Sequence, residues 1–438
     1  MLETQVTEAK WYEDSNVWMV QTKDGQQYRC TWFLPATGTS FKPNIPEVFA
    51  EGQKRFKGQF HHSAFWPEEG VELANKRVAI IGTGSTGIQV MQESAKVASQ
   101  VVSFMRSPNF AVPMWQRTIT EDQIYHEKPH IPVIFDHCRN RSTMGLPIIG
   151  TGKKVFDVSK EERLRIWEEY WRRGGFNFGF GSFTDSSVSK EANLETYKFW
   201  REKVRARISN PQKAALLAPE DPPYWIGTKR PSLEQDYFEM CDRPNVELTN
   251  SPIEEITETG IRTQDGQIRE FDLIALCTGY DAVTGGLRTM GIKGRDNLDL
   301  GDKWKDGVVT HLGMMANGFP NMYMVYGPQA PTSLTNGPPF IELQCEWILD
   351  VLNKQREQGL RILEAKQDEE QKWRENVLSI ASRTLASETD SWWNGANVKG
   401  KRKEFLLYMG GIPNWHEACK EALKDWQGFE TIPAATKL

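Results

Sequence analysis

The sequence predicts an α/β protein of two dinucleotide-binding, Rossmann-like domains, the first truncated at its N-terminus and the second interrupted by a helical insertion. Three observations predict it. A short apolar run at residues 78–81 feeds into Gly82, Gly84 and Gly87, spaced G-x-G-x-x-G, and a helical pattern follows at residues 88–97. The stretch TKDGQQYRCTWFLPATG at residues 22–38 returns as TQDGQIREFDLIALCTG at residues 263–279, and a repeat of this kind decides architecture. Residues 120–226, by contrast, read as helical and aromatic.

Taken in order, the chain opens on alternating runs at residues 5–12, 17–22 and 27–34, separated by turn residues at 14–16 and by Asp24-Gly25. These predict an antiparallel meander, which closes on Thr37-Gly38. A Pro-broken loop then leads to residues 53–70, where Phe56, Gly58, His62, Trp66 and Pro67 stand as F-x-G-x-x-x-H-x-x-x-W-P. From average residue usage this pattern arises by chance less than about once in ten million start positions. Taken singly, His62 reads equally as a hydrogen-bonded core histidine and Trp66 as a packing residue.

The run at 78–81 has the unbroken hydrophobicity of a strand buried on both faces. In the loop after it, the first glycine permits a tight turn, the second lets backbone approach a pyrophosphate, and the third lets helix and strand pack closely. Thr83, Ser85 and Thr86 complete the loop, and a diphosphate would sit on the amide donors of the helix N-terminus. The next strand, residues 101–104, ends in Met105, Arg106 and Ser107. An NAD site places an acid there; an arginine accommodates a 2′-phosphate, which favours NADP(H). The alternative is a solvated charge at a strand end.

In the insertion, Ser159 caps a helix that runs to Arg173, and a second helix lies around residues 194–208. An ordinary helical cap is the alternative to a substrate-shaping role. The insertion ends at Thr228-Lys229-Arg230-Pro231. Strands follow at 253–257, 260–263 and 271–276, the last ending in Thr278-Gly279. Further on, residues 323–326 read as a strand and residues 340–358 as a helix whose buried face is Ile341, Cys345, Ile348 and Leu352. In the second copy of the repeat the meander belongs to a domain that opened with a glycine loop. The first copy therefore predicts a glycine loop upstream of it, a half-domain of roughly a hundred residues. No second glycine fingerprint occurs in the sequence. The predicted division is residues 1–52 as a remnant of the first domain, 53–70 as linker, 71–119 with 227–281 as the second domain, 120–226 as the insertion, and 282–438 as the return to the first domain.

At 438 residues the chain can bury several cores. A net charge of −5 with interspersed basic residues argues against a nucleic-acid partner. Six scattered Cys, none in C-x-x-C spacing, fit a reducing compartment and exclude a zinc site or a dithiol reductase. No apolar run approaches a membrane span and residues 1–11 are no signal peptide, so the expectation is a cytoplasmic protein with no membrane partner.

Together these motifs resemble the Baeyer-Villiger monooxygenases, class B flavin-dependent monooxygenases of the cyclohexanone and steroid monooxygenase kind. In that family the F-x-G-x-x-x-H-x-x-x-W-P stretch lies on the linker between FAD and NADP domains, directly upstream of the NADP glycine loop. TKRP, the loop at residues 335–339, the SWWNGAN segment at residues 391–397 and the two T-G steps follow in the family's order. The resemblance implies the FAD/NAD(P)-binding type of fold, with FAD and NADP(H) as cofactors. It implies Arg230 as the catalytic cation, Lys229 near the 2′-phosphate, Thr278 and Gly279 at the cofactor, and Trp392 in a segment that closes over NADP. A glycine loop bracketed by packing tryptophans is the alternative for that segment. The implied reaction forms a flavin C4a-peroxide from O2, which adds to a ketone and yields an ester or lactone, with heteroatom oxidation as a side activity. The first copy's unmatched glycine loop leaves two alternatives, a non-catalytic NADP-binding fragment or a subunit completed by a separate FAD-binding half. A further alternative is another two-domain flavoprotein, such as an N-hydroxylating monooxygenase.

Overall fold

A computed structural model of the chain describes residues 2–433. At its centre five strands run parallel in the order Gln59–His62, Leu273–Leu276, Arg77–Ile81, Gln100–Phe104 and Val246–Thr249. Side chains alternate between the two faces, and two different cores receive them. Val78, Ile80, Val101, Leu273 and Ala275 join the core under the Ser85–Val97 helix and the insertion. Ala79, Ile81, Val102, Phe104, Ile274 and Leu276 join Ile256, Ile261 and Phe271 on the other side. Both faces are covered, which is why residues 78–81 carry no polar position.

The stretch at residues 53–70 is more than a connection, because its Gln59–His62 segment is the edge strand of this sheet. The spacing of Phe56 and Gly58 has a steric cause. A Cβ at Gly58 would lie 2.6 Å from the Asp272 carbonyl and 2.7 Å from the Phe56 ring, so only glycine lets the strand start beside its neighbour.

The second meander consists of Ile253–Ile256, Gly260–Thr263 and Ile268–Glu270. The strand expected over residues 271–276 is therefore two elements: Leu273–Leu276 leaves the meander at Asp272 and enters the parallel sheet. Asp272 fixes that departure by accepting from the Arg77 backbone N–H at 2.8 Å and pairing with its guanidinium. The first meander, Val6–Tyr12, Val17–Thr22 and Gln27–Cys30, gains Ile292–Lys293 as a parallel fourth strand. Its third strand stops at Cys30 rather than running to residue 34. Phe33 makes only an isolated parallel bridge to Met322.

Two further expectations are corrected. Residues 323–326 form no regular strand, because the amides of Tyr323, Met324 and Val325 go to the Phe33, Met314 and Pro35 carbonyls, that of Tyr326 to the Gln344 side chain, and Tyr326 turns the chain with φ +61°. The long helix, Gly337–Glu357, buries Phe340, Leu343, Gln344, Trp347, Ile348, Val351 and Gln355. Cys345 is exposed and Ile341 and Leu352 are half-buried. The bulky Phe340 and Trp347 rotate the helix away from the face that aliphatic spacing suggests.

The insertion leaves at Val112–Pro113 and returns at Leu233–Glu234, which pair in parallel. Helix Lys160–Arg173 is capped by Ser159, as expected. Its partner starts earlier than expected, at Lys190–Arg205, capped by Ser189. Trp167, Trp171, Phe178 and Phe199 pack edge-on and stacked between them. Among the described residues no helix is long and apolar enough to cross a membrane.

Candidate functional site

Register brings the predicted residues to one edge of the parallel sheet. Leu276 pairs with both His62 and Ile81, and Ile81 pairs with Phe104. The residues that follow, Gly82, Thr278-Gly279 and Arg106-Ser107, therefore stand side by side at the carboxyl ends of the strands, where open α/β sheets bind ligands.

The three glycines have different reasons. Gly82 has φ +108°, and a Cβ there would meet the Cys277 carbonyl at 2.5 Å. A Cβ at Gly87 would lie 2.0 Å from the Gly82 carbonyl. Gly84, at the N-cap of the Ser85–Val97 helix, has nothing within 4 Å of its Cβ position. The first and third are required by the fold, whereas the middle one opens onto space at a helix N-terminus, a cradle for a diphosphate. Thr83 donates to the Ser107 carbonyl at 2.9 Å and ties the loop to the next strand end. Ser85 and Thr86 are exposed at the helix start, and Ser85 Oγ lies 3.0 Å from Ser232 Oγ. That contact brings the segment carrying Lys229 and Arg230 against the glycine loop.

Three cations gather here, and the carboxylates nearest Lys229, those of Glu388 and Asp390, are paired with other lysines. Among the described residues Arg106, Lys229 and Arg230 form no ion pair. Arg106 is exposed. Lys229 lies over the Tyr224 ring at 4.2 Å, and burial together with the Arg106 charge pushes its ammonium pKa down, against the pull of Asp390. Arg230 donates to the Ser333 carbonyl at 3.3 Å and sits 5.9 Å from the Phe176 ring centre. The buried Lys401, by contrast, pairs with Asp281 at 2.7 Å. Cations left uncompensated beside a glycine cradle fit a dinucleotide diphosphate with an additional phosphate.

His62 is buried at the end of the edge strand. Its Nδ1 accepts from the Ala64 amide at 3.0 Å, capping a short turn, and its Nε2 makes no well-formed hydrogen bond among the described residues. Burial lowers its pKa, partly offset by the Gly279 carbonyl, so the ring is neutral near pH 7. Trp66 packs on the insertion core and on His61 at 5.8 Å, and Pro67 accepts from Gly70 in a turn. Thr278 donates to the Asn44 carbonyl at 2.6 Å, while the Gly279 carbonyl accepts from the Asn44 amide. Trp392 is half-buried against the core of the first meander and does not line the cavity that Lys229 borders.

Several partners have no sequence signal. Thr389 is 2.8 Å from Thr228, and Glu388 accepts from the Trp225 indole at 3.0 Å and pairs with Lys190 at 3.0 Å. Asn397 donates to the Tyr280 carbonyl at 2.8 Å. These contacts strap residues 388–401 across both the insertion end and the T-G step. On the first meander, Gly38 has φ +64° and open space at its Cβ, as Gly279 does with φ +78°. Among the described residues no glycine loop stands beside Gly38.

Comparison with known proteins gives one answer. The flavin-binding monooxygenase-like family model matches residues 3–120. Cyclopentanone 1,2-monooxygenase of Comamonas sp. (strain NCIMB 9872) is 38% identical over 430 residues, 97% of this chain and 78% of that protein. Cyclohexanone monooxygenase from Rhodococcus sp. Phi1 bound to NADP+ superposes with a TM-score of 0.93 at 37% identity, over 98% of this chain and 80% of that one. OTEMO in complex with FAD and NADP gives 0.92 at 32% identity, over 98% and 80%.

Proposed function

The chain belongs to the Baeyer-Villiger monooxygenase family, and we propose that it uses NADPH and FAD to insert one atom of O2 beside a ketone carbonyl, giving an ester or lactone. The observation that carries this reading is the set of uncompensated cations, Arg106, Lys229 and Arg230, held against the glycine cradle. Bound FAD, reduced by NADPH, supplies the electrons that activate O2. Gly82 to Gly87 receive the NADP diphosphate on the helix N-terminus, and Arg106 with Lys229 holds the 2′-phosphate. Arg230 is the catalytic cation. Among the described residues its one hydrogen bond is a long one to a carbonyl, so the guanidinium is available to favour the anionic, nucleophilic form of the transferred oxygen. His62, neutral and capping a turn, positions the strand end beside Gly279 and moves no proton.

The Thr37-Gly38 step offers the flavin the same closing turn that Thr278-Gly279 offers NADP. A diphosphate cradle for the flavin takes a second glycine loop beside Gly38. A cytoplasmic location is part of the same reading.

The test is product analysis of the FAD-loaded protein with NADPH, cyclopentanone and 18O2. The expected product is the six-membered lactone carrying one heavy oxygen. NADPH consumption that yields only hydrogen peroxide overturns the reading.

A further inference from the structure

The cavity beside the proposed 2′-phosphate site is lined from two distant parts of the chain. It measures about 620 Å³, and Tyr224, Trp225 and Lys229 face it from the end of the insertion. Thr389, Asp390 and Lys403 face it from the C-terminal strap. A volume of this order suits a nucleotide end rather than a single ion.

Its walls carry Lys229 and Lys403 against Asp390 and Glu388, and Glu388 is already paired with Lys190 at 3.0 Å. Asp390 pairs with Lys403 at 2.5 Å, and Lys403 holds its carboxyl below the usual range, with Lys229 adding to the effect. Lys229 in turn feels Arg106 on one side and Asp390 on the other. Asp390 is thus shared by Lys403 and Lys229 while Glu388 is taken by Lys190, which leaves on this wall a positive charge that a phosphate monoester dianion would neutralise. The Asp390–Lys403 pair is exposed on both sides, 73% and 51%, and a pair of this kind holds together weakly. A dianion lying between Lys229 and Lys403 therefore displaces Asp390 at little cost.

The strap is placed firmly enough for this. The buried Thr228–Thr389 contact and the Glu388 bonds to Trp225 and Lys190 pin residues 388 and 389 to the insertion, so Asp390 is presented at a fixed place.

We propose that Lys403 is a third cation for the 2′-phosphate of NADPH, paired with Asp390 in the free protein and transferred to the phosphate on binding. The proposal rests on the NADPH reading above and adds a specificity residue on the strap. It makes discrimination between NADPH and NADH a property of strap and sheet together, whereas Arg106 alone would make it a property of the sheet.

The test is the dissociation constant of NADPH and of NADH, by titration calorimetry, for the wild type, Lys403→Met, Lys403→Arg and Asp390→Asn. Lys403→Met is expected to weaken NADPH about tenfold with NADH unchanged, and Lys403→Arg to restore most of the loss. Asp390→Asn is expected to tighten NADPH severalfold, since a competitor for Lys403 is gone. The NADH constant reports that each variant is folded. An unchanged NADPH-to-NADH ratio in Lys403→Met, with a wild type that prefers NADPH, overturns the role of Lys403. A wild type without preference for NADPH overturns the 2′-phosphate reading on which it rests.

Discussion

Thr22 and Thr263 stand in matching turns, though Thr263 also accepts from the Arg269 guanidinium and Thr22 from the Gln26 amide. Each hydroxyl donates to the aspartate two residues on, Asp24 or Asp265, and lies within 3.3 Å of the backbone carbonyl four residues on, around a glycine with φ +86° or +81°. Each turn leads through a further strand segment to a T-G step with a left-handed glycine. The surroundings differ. Leu273–Leu276 lies between two parallel strands, and its T-G step faces the glycine loop. The equivalent Phe33 bridges to Met322 alone, and its T-G step faces no loop among the described residues. The comparison teaches that the turn and the T-G step are scaffold, common to both halves, while binding chemistry is added by what stands beside them.

The sharpest way to break that comparison is at the loop itself. Gly87→Ala drives a Cβ against the Gly82 carbonyl and is expected to cost about 3 kcal/mol and to abolish NADPH binding. Gly38→Ala meets only backbone strain of about 1 kcal/mol and leaves NADPH affinity alone. Paired denaturation and titration curves check both, and equal effects on NADPH would dissolve the distinction.

Acid sensitivity separates the halves in a second way. His311 is buried against Phe429 in the C-terminal core, with no hydrogen-bond partner on either nitrogen among the described residues, and burial outweighs the nearby Glu369 and Gln427 to lower its pKa to about 4. The folded state keeps this ring neutral while the unfolded chain takes up a proton below pH 6.5. Stability is thus full above pH 6.5 and is lost on acidification towards pH 4, by about 1.4 kcal/mol per unit. Urea denaturation at pH 7 and pH 4.5 should show the loss, and His311→Phe should reduce it. A variant that loses as much as wild type would place the sensitivity elsewhere.

The smallest effects sharpen the likeness. Thr22→Ala and Thr263→Ala should each cost about 1 kcal/mol and should add in the double variant, since the turns are separate. Unequal costs in denaturant titrations would mean that the turns are not equivalent scaffolds.

Much of this was legible in the sequence, for stated reasons. Residues 78–81 are apolar on both faces and the glycines follow at fixed spacing, so the strand, loop and helix needed no tertiary information. The repeat revealed the two T-G steps. The edge strand Gln59–His62 was hidden because QFHH carries almost no hydrophobic signal, its order coming from pairing with Leu273–Leu276. The strand over 271–276 was misjudged because Asp272, the residue that parts meander from sheet, shows its role only through Arg77. The strap contacts were illegible for a simpler reason: Thr228 and Thr389 are 161 residues apart, and Thr389 belongs to no pattern.

The most direct test of the account is Arg230→Ala in the FAD-loaded protein, with flavin reduction by NADPH and lactone formation measured on the same sample. The account predicts that reduction continues at close to the wild-type rate while lactone formation falls by about a hundredfold or more. Undiminished lactone formation would remove the uncompensated Arg230 from the chemistry and contradict it.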